Sequence, residues 1–343
     1  QRQELGRWIK MKCFSRMPKA RARNRIDSRW VLKFKIVDGR KEVKARLCVR
    51  GFKDAGADNL ATFAGTATRW GQRMICATAA QHGWELWSAD VSMAFLRGQT
   101  FTEIAANTGT KVRAIQFDLP NGGPNLLREF PGFESFDSFG ETLSMDKPGF
   151  GTKDAPWAWG IELRGTMIAF GFRPTQADTR FYALHRANAP EFVVKALGAA
   201  REGGPNSRES NELLGVCSTH VDDLKGACSP PVRVVFLTFL ERKYGKLVIQ
   251  LRCFTCVGIR HRQDDDYTVT MDQDEYAAQL RPIDTASVNH QADDYLVPAF
   301  MVMLYMSLLG GVEWMVLTRV DICVFVNRLQ RHAKTPRLVD VKD

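Results

Sequence analysis

Apolar and polar positions alternate most clearly near the start of the chain. Arg29–Trp30–Val31–Leu32–Lys33–Phe34–Lys35–Ile36–Val37 interleaves apolar and basic residues, the period-2 pattern of a strand with one wet, cationic face. Asp38–Gly39 is a two-residue hairpin signal, and Glu42–Phe52 reads as the returning strand. The period changes over Arg69–His82, where Trp70, Met74 and Ala77 stand at i, i+4 and i+7 and Gly83 follows. That spacing predicts an amphipathic helix with a glycine cap. Trp84–Asp90 reads as a strand ending on a single carboxylate, with a short apolar turn after it. Pro156–Phe170 carries a helical stripe of Trp159, Leu163, Met167 and Phe170 and stops at Gly171. Leu213–Val216 is an apolar lead-in to a second strand. Farther on, Pro231–Tyr244 predicts a helix, Leu251–His261 a strand, and Tyr276–Leu280 the start of another helix.

Between these elements the pattern is poorer. Residues 1–25 are basic with weak periodicity, a helix or an arm. Gln99–Ser144 is rich in Gly, Asn and Phe and reads as loops plus short strands, and Arg201–Asn211 as an exposed loop. The length, 343 residues with 45% hydrophobic and 25% charged side chains, fits two or three subdomains around a substantial core. No apolar run approaches the roughly 18 residues of a membrane span, and Leu296–Leu309 is short and holds Pro298. No secretory pattern opens the chain, and Gln in place of Met at residue 1 suggests a piece of a longer polyprotein. The eight cysteines sit mostly in apolar surroundings, as reduced intracellular thiols do. Cys253–Phe254–Thr255–Cys256 lacks the second ligand pair that a zinc site needs.

Charge changes the picture, because it is local. Residues 1–53 hold 18 Lys and Arg against 4 Asp and Glu, so a net charge of +10 leaves the rest of the chain acidic. A basic patch interleaved with a strand pattern is the footprint expected of nucleic-acid phosphates.

Two stretches then carry candidate chemistry. In Val216–Cys217–Ser218–Thr219–His220–Val221–Asp222–Asp223–Leu224–Lys225–Gly226–Ala227, two adjacent carboxylates stand where a tight hairpin turn belongs. Like charges that close are costly unless a cation neutralises them, and hard oxygen ligands suit Mg²⁺. Asp265–Asp266 and Asp293–Asp294 lack an apolar strand leading in and read as solvated turns. A lone Asp90 at a strand end, joined with the Asp222–Asp223 hairpin, is the carboxylate set of two-metal phosphoryl transfer.

These two stretches resemble motifs A and C of the reverse transcriptases of copia-type retrotransposons, where motif C usually reads Tyr-Val-Asp-Asp. The resemblance extends to a fingers hairpin, with Lys44, Ala45, Arg46, Leu47, Arg50, Gly51 and Phe52 matching. It continues through Gly151, Lys153, Ala155, Pro156, Ala158 and Trp159, then Gly171–Phe172, Asp178 and Phe181, and Gly258–Ile259. Tyr305–Gln330 resembles the connection that precedes a ribonuclease H domain. The similarity fades over Gln99–Ser144.

The resemblance implies an α+β right-hand polymerase whose antiparallel palm sheet is backed by helices. It implies a basic N-terminal arm at 1–27, fingers and palm at 28–260, and a thumb with part of a connection at 261–343. The implied activity is RNA-directed DNA polymerase, transferring dNTPs onto a primer 3′-OH. Asp90 and Asp222 would hold two Mg²⁺ ions, with Mn²⁺ as an alternative, Asp223 supporting the pair and the Val91 carbonyl completing one site. Some of Lys44, Arg46 and Arg50 would neutralise the triphosphate, with Phe150, Gly151 and Lys153 near the nucleotide. Phe95 would sit under the sugar and exclude a ribose 2′-OH. Partners would be an RNA template, a DNA primer and its RNA–DNA hybrid, and the ribonuclease H and integrase portions of the same polyprotein. The setting would be an intracellular virus-like particle or the nucleus, without a membrane. His220, Phe150 and Asp154 depart from the family's Tyr, Tyr and Gln. His220 is expected to pack against the primer, and Asp154 to add an unfavourable charge beside the nucleotide. The rival readings are an inactive relic that still binds nucleic acid and another two-metal nucleotidyl transferase.

Overall fold

The computed structural model describes residues 1–37, 39–58, 60–197 and 211–342, in which helix and sheet are mixed. The chain forms two compact units, Gln1–Ile75 with Ala89–Ile249 and Cys76–Ser88 with Gln250–Asp343. The first unit begins with α1 (Arg2–Lys10), β1 (Phe14–Pro18), β2 (Arg25–Val37), β3 (Arg40–Val49), α2 (Arg69–His82) and β4 (Leu86–Asp90). It continues with α3 (Phe101–Thr108), β5 (Gln116–Asp118), α4 (Gly123–Leu127), β6 (Glu141–Met145), α5 (Ala155–Ala169) and β7 (Arg173–Pro174). β8 (Phe181–His185), α6 (Glu191–Ala196), β9 (Leu213–His220), β10 (Asp223–Cys228), α7 (Pro230–Tyr244) and β11 (Val248–Leu251) complete it. α2, β4 and β11 also give residues to the second unit.

Two sheets organise the first unit. One has the order β1-β6-β5-β2-β3, the other β11-β4-β10-β9-β8-β7. β2 is long enough to serve twice: Arg25–Asp27 pair in parallel with β5, and Ser28–Val37 pair antiparallel with β3. The β2–β3 register joins Val37 to Arg40, so the connection is the two-residue turn expected. Gly39 takes φ +75°, and Asp38 lies outside the described residues, as do 201–210 of the expected loop. Along this ribbon the side chains alternate as read. Lys33 and Lys35 share one face with Lys44 and Arg46, and Leu32, Phe34 and Ile36 lie exposed on the other.

Residues 1–27 do not trail off as an arm. Helical spacing puts Glu4, Leu5 and Trp8 on one buried face of α1 while Arg2 and Lys10 stay outside. Leu5 and Trp8 join Phe14, Ile26, Leu47, Phe117 and Leu143 in one apolar cluster, with the Trp8 and Phe117 ring centroids 6.0 Å apart. The basic composition hid this amphipathic face. Gln99–Ser144 is also more ordered than expected. Its α3 is started by a capping box, in which Thr100 Oγ1 accepts from Glu103 N and Glu103 accepts from Thr100 N, and it ends at Gly109 in the left-handed region.

α2 has the predicted bounds but the opposite face inward. Trp70 is 76% exposed and Met74 56%, whereas Ile75 and Ala79 are fully buried. The small residues set this choice. A Cβ at Gly71 would come within 2.7 Å of Asp178, whose carboxylate accepts from the Thr68 amide at 2.7 Å and so caps the helix. α5 follows its predicted stripe, with Trp159, Leu163 and Met167 buried and Phe170 at the C-cap.

In the second unit β12 (Cys253–Cys256), β13 (Ile259–Gln263) and β14 (Val269–Asp272) form an antiparallel sheet. The expected strand Leu251–His261 is in fact a hairpin. Cys256 pairs with Ile259 across Val257 and Gly258, both at positive φ. α8 (Asp274–Ala277) is a single turn, shorter and earlier than the helix start expected at Tyr276. α9 (Ala299–Met315), α10 (Cys323–Gln330) and α11 (Leu338–Lys342) follow. Met301, Val297 and Leu338 form one core cluster, and Tyr305, Leu309 and Val326 another. Among the described residues no helix is long and apolar enough to cross a membrane.

Candidate active site

The β9–β10 hairpin is closed by two residues, since Asp223 pairs with His220. Val221 and Asp222 are therefore the tip. Val221 adopts φ +58°, a left-handed conformation that a β-branched residue takes only when its surroundings impose it. The imposing contact is Trp159, buried on α5, whose Nε1 donates to the Val221 carbonyl at 2.8 Å. Trp159 is braced in turn by the Tyr244 ring, 5.2 Å away edge-on. Ahead of the hairpin, Thr66 bridges His220, and the Ala67 amide donates to Thr219 O at 3.1 Å.

Asp90 ends β4, the neighbour of β10 in the sheet, so sheet pairing brings the lone carboxylate beside the hairpin pair. The turn after it places Met93 at φ +60°, and the Ala94 amide donates to the Val91 carbonyl at 3.2 Å. One lone pair of that carbonyl is therefore engaged and one remains. Phe95 then meets Phe150, with ring centroids 5.6 Å apart, and the Arg46 guanidinium lies 5.2 Å over the Phe150 ring. These residues line a cavity of about 340 Å³. Asp90 and Asp222 line it, as do Lys35, Lys44 and Arg46 of the hairpin's basic face.

The electrostatics follow from that enclosure. Burial first, and then the charge of Asp222, raise the Asp90 carboxyl, while Lys44 and Lys35 pull it partly back. Burial, then Asp222 and Asp90, push Asp223 up to about 6, although its edge meets solvent. Burial and the neighbouring Arg46, Lys35 and Arg7 lower the Lys44 ammonium. His220 is lowered by burial against the opposing pull of Asp222. Carboxylates thus crowd one another here, and so do cations. No three His, Cys, Asp or Glu side chains among the described residues converge into a ready metal cage. The donor set nonetheless suits a hard cation that takes one or two carboxylates and completes its shell with water and substrate phosphate.

Crowded carboxylates predict a stability effect. Asp223→Asn, melted without divalent cation at pH 7.5, is expected to raise Tm by on the order of 1–3 °C. The folded carboxyl keeps its proton up to about pH 6, against an ordinary value of 3.8. Wild type therefore gains stability as pH falls through 6, and the advantage of the variant should vanish near pH 4. An advantage that persists unchanged across that range would count against the shift.

Of the residues singled out in the sequence, Asp90, Val91, Asp222, Lys44, Arg46, Phe95 and Phe150 line the cavity, and Asp223 stands beside it. Three others are engaged elsewhere or do not line it. Arg50 is ion-paired to Asp27 at 2.9 Å, a carboxylate shared with Lys53 at 3.1 Å. Lys153 is exposed and is not among the lining residues. Gly151, at φ +99°, packs its backbone against β3, where the Val49 amide donates to Phe150 O at 2.9 Å and a Cβ would fall 2.0 Å from Val49 O. Asp154 does not face the cavity either. It is buried and ion-paired to Arg113, which also binds the buried Asp54. Asp54 is held further by Asn24 Nδ2 at 2.7 Å and the Gly56 amide at 2.9 Å, and its carboxyl lies below the usual range despite burial. Lys35, Arg7 and Trp159 join or support the site without having been singled out for it. For Lys35 the signal was available, since strand alternation across the Gly39 turn puts it on the face of Lys44.

A family model described as reverse transcriptase (RNA-dependent DNA polymerase) matches residues 12–112, a span that includes the basic hairpin and Asp90. Two retrovirus-related Pol polyproteins of Arabidopsis thaliana, from transposons RE2 and RE1, are 26% and 25% identical to the chain over 172 residues. The matched region is 49% of this chain and 10% of each of those proteins, so the chain spans a small part of the length of the relatives it matches. Residues 12–112 are thus similar to the reverse transcriptase family, and half of the chain to two transposon Pol polyproteins, in a structure that joins Asp90 and the Asp222–Asp223 hairpin at one sheet.

Proposed function

We propose that the chain is the RNA-directed DNA polymerase portion of a copia-type Pol polyprotein. The observation that carries this reading is a single cavity lined by Asp90, Asp222 and a row of cations from one hairpin face. In this reading the β2–β3 ribbon belongs to the fingers and the six-stranded sheet is the palm, within 28–260. Residues 261–343 are thumb and partial connection. The substrates are dNTPs, an RNA template and a DNA primer, held as an RNA–DNA hybrid, and the ribonuclease H and integrase portions of the polyprotein are the neighbours.

Each side chain then has a task. Lys44 and Arg46 neutralise the triphosphate, and Lys35 extends that row. Phe95, backed edge-on by Phe150, lies under the sugar and disfavours a 2′-OH by steric exclusion. Asp90 and Asp222 would hold divalent metal, with Asp223 adding negative charge at the hairpin and the Val91 carbonyl as a further oxygen donor. Mg²⁺ bound there, or Mn²⁺ in its place, would supply charge neutralisation at the attacking and leaving oxygens. The protein's own contribution is alignment of the primer 3′-OH with the α-phosphate, and Trp159 fixes the hairpin tip for it.

Primer extension on an RNA template with dNTPs and Mg²⁺ tests the reading. Template-dependent extension that stops on chelation is the expected result. Salt-dependent hybrid binding with no extension would replace it with a non-enzymatic nucleic-acid binder.

A further inference from the structure

The cavity has a wall that the carboxylates and the hairpin do not account for, and it comes from α1. Gln3, Glu4 and Arg7 line it together with Lys44, Arg46 and Asp90. α1 is packed in place, because Leu5 and Trp8, which share its buried face with Glu4, are fully buried. Glu4 is buried as well. One of its oxygens accepts from Arg7 at 3.5 Å and the other from Trp8 Nε1 at 3.4 Å. This bond occupies one of the five N–H donors of the Arg7 guanidinium, and the side chain stays 36% exposed.

Lys35, Lys44, Arg46 and Arg7 all line this cavity, donors suited to a multivalent anion. Glu4, Glu42, Asp90 and Asp222 balance them formally, giving side-chain charges that cancel. Two divalent cations on the carboxylates would then leave a surplus of four positive charges, the complement of a fully ionised nucleoside triphosphate. We propose that Arg7 is a phosphate-binding residue of the nucleotide cavity, held in place by the buried Glu4 and supplied by the N-terminal helix. The proposal rests on the polymerase reading for the identity of the anion but not for the existence of the anion site.

Arg7→Met removes the charge and keeps the stem, Arg7→Lys restores charge without the fork, and Arg2→Met on the same helix is the control. Calorimetric titration with inorganic tripolyphosphate in Mg²⁺ reads the site directly, and the dNTP KM and kcat of primer extension read it in action. In Arg7→Met the tripolyphosphate Kd and the dNTP KM should each rise roughly tenfold or more. kcat should stay near wild type. Tm should fall in Arg7→Met, which leaves the buried Glu4 without its cation, but not in Arg7→Lys. Arg7→Lys should recover part of the loss in affinity, and Arg2→Met should change neither constant. An unchanged Kd and KM in Arg7→Met, no tripolyphosphate binding by the wild type, or a loss that tracks a lower Tm in both Arg7 variants would overturn the assignment. Tripolyphosphate binding that depends on Arg7, without any primer extension, would uphold the anion site and sink the polymerase reading instead.

Discussion

Asp222→Asn is expected to lower RNA-templated primer extension by on the order of 10³-fold while leaving RNA–DNA hybrid binding intact. The loss follows from the metal-holding role proposed for the carboxylate. A metal-based charge clamp is worth several kcal/mol at the transition state, and each 1.36 kcal/mol is tenfold in rate. Asn keeps the size and the turn-forming capacity of Asp but cannot hold the same charge. The hairpin should survive, since its tip is fixed by the bond from Trp159 to Val221 O. The basic face of the ribbon is untouched, so hybrid affinity and its salt dependence should match wild type. The right comparison is a pair of carboxylates outside the cavity. Asp265→Asn loses an exposed ion pair with Arg252, and Asp266→Asn loses its charge while its Oδ1 can still accept from the Thr268 amide, and neither should alter extension. Extension by Asp222→Asn within tenfold of wild type would remove this residue from the chemistry.

The largest stability effect is expected at Gly151. Replacing it with Ala puts a Cβ 2.0 Å from Val49 O on a backbone at φ +99°. Neither the carbonyl nor the chain around it can yield cheaply. The Val49 amide is bonded to Phe150 O and the Gly51 amide to Gly151 O at 3.2 Å. Overpacking and left-handed strain each cost about 1–3 kcal/mol, so Gly151→Ala should destabilise by roughly 3–5 kcal/mol. Gly109 isolates the second part: it has φ +67°, and an added methyl there would meet no atom within 4 Å. Gly109→Ala should therefore cost only about 1 kcal/mol. Equal losses in the two variants, read by urea denaturation, would show that the close approach to β3 is not what requires glycine. Because Phe150 precedes Gly151 and borders the cavity, a surviving fraction of the variant should also bind nucleotide less well.

Local pattern made much of this legible. β2, β3 and α5 follow alternation or helical spacing closely, α2 follows it in its bounds alone, and the Asp222–Asp223 turn stands out because an apolar strand leads into it. What stayed hidden needed partners far along the chain. Which face of α2 turns inward is decided by small residues such as Gly71 and Ala79, not by its largest apolar side chains. α1 looked like a basic arm because its charges outnumber the two residues, Leu5 and Trp8, that bury it. Asp154 read as a charge beside the nucleotide because nothing nearby in sequence announces Arg113. By contrast α3 was readable, since Thr100, Glu103 and Gly109 are cap signals in plain order, and the run of Phe around them drew attention away.

The buried trio of Asp54, Arg113 and Asp154 has a consequence for how such a chain can drift. Arg113 lies 59 residues from one partner and 41 from the other, and it is the cation that both buried carboxylates share. Loss of Arg113 alone strands two negative charges away from water, and breaking a buried pair costs about 3–5 kcal/mol. An acidic residue at 154 is therefore tolerable only beside the arginine, and while both aspartates are present Arg113 cannot be lost alone, whereas Asp154 can, because Arg113 keeps its pair with Asp54.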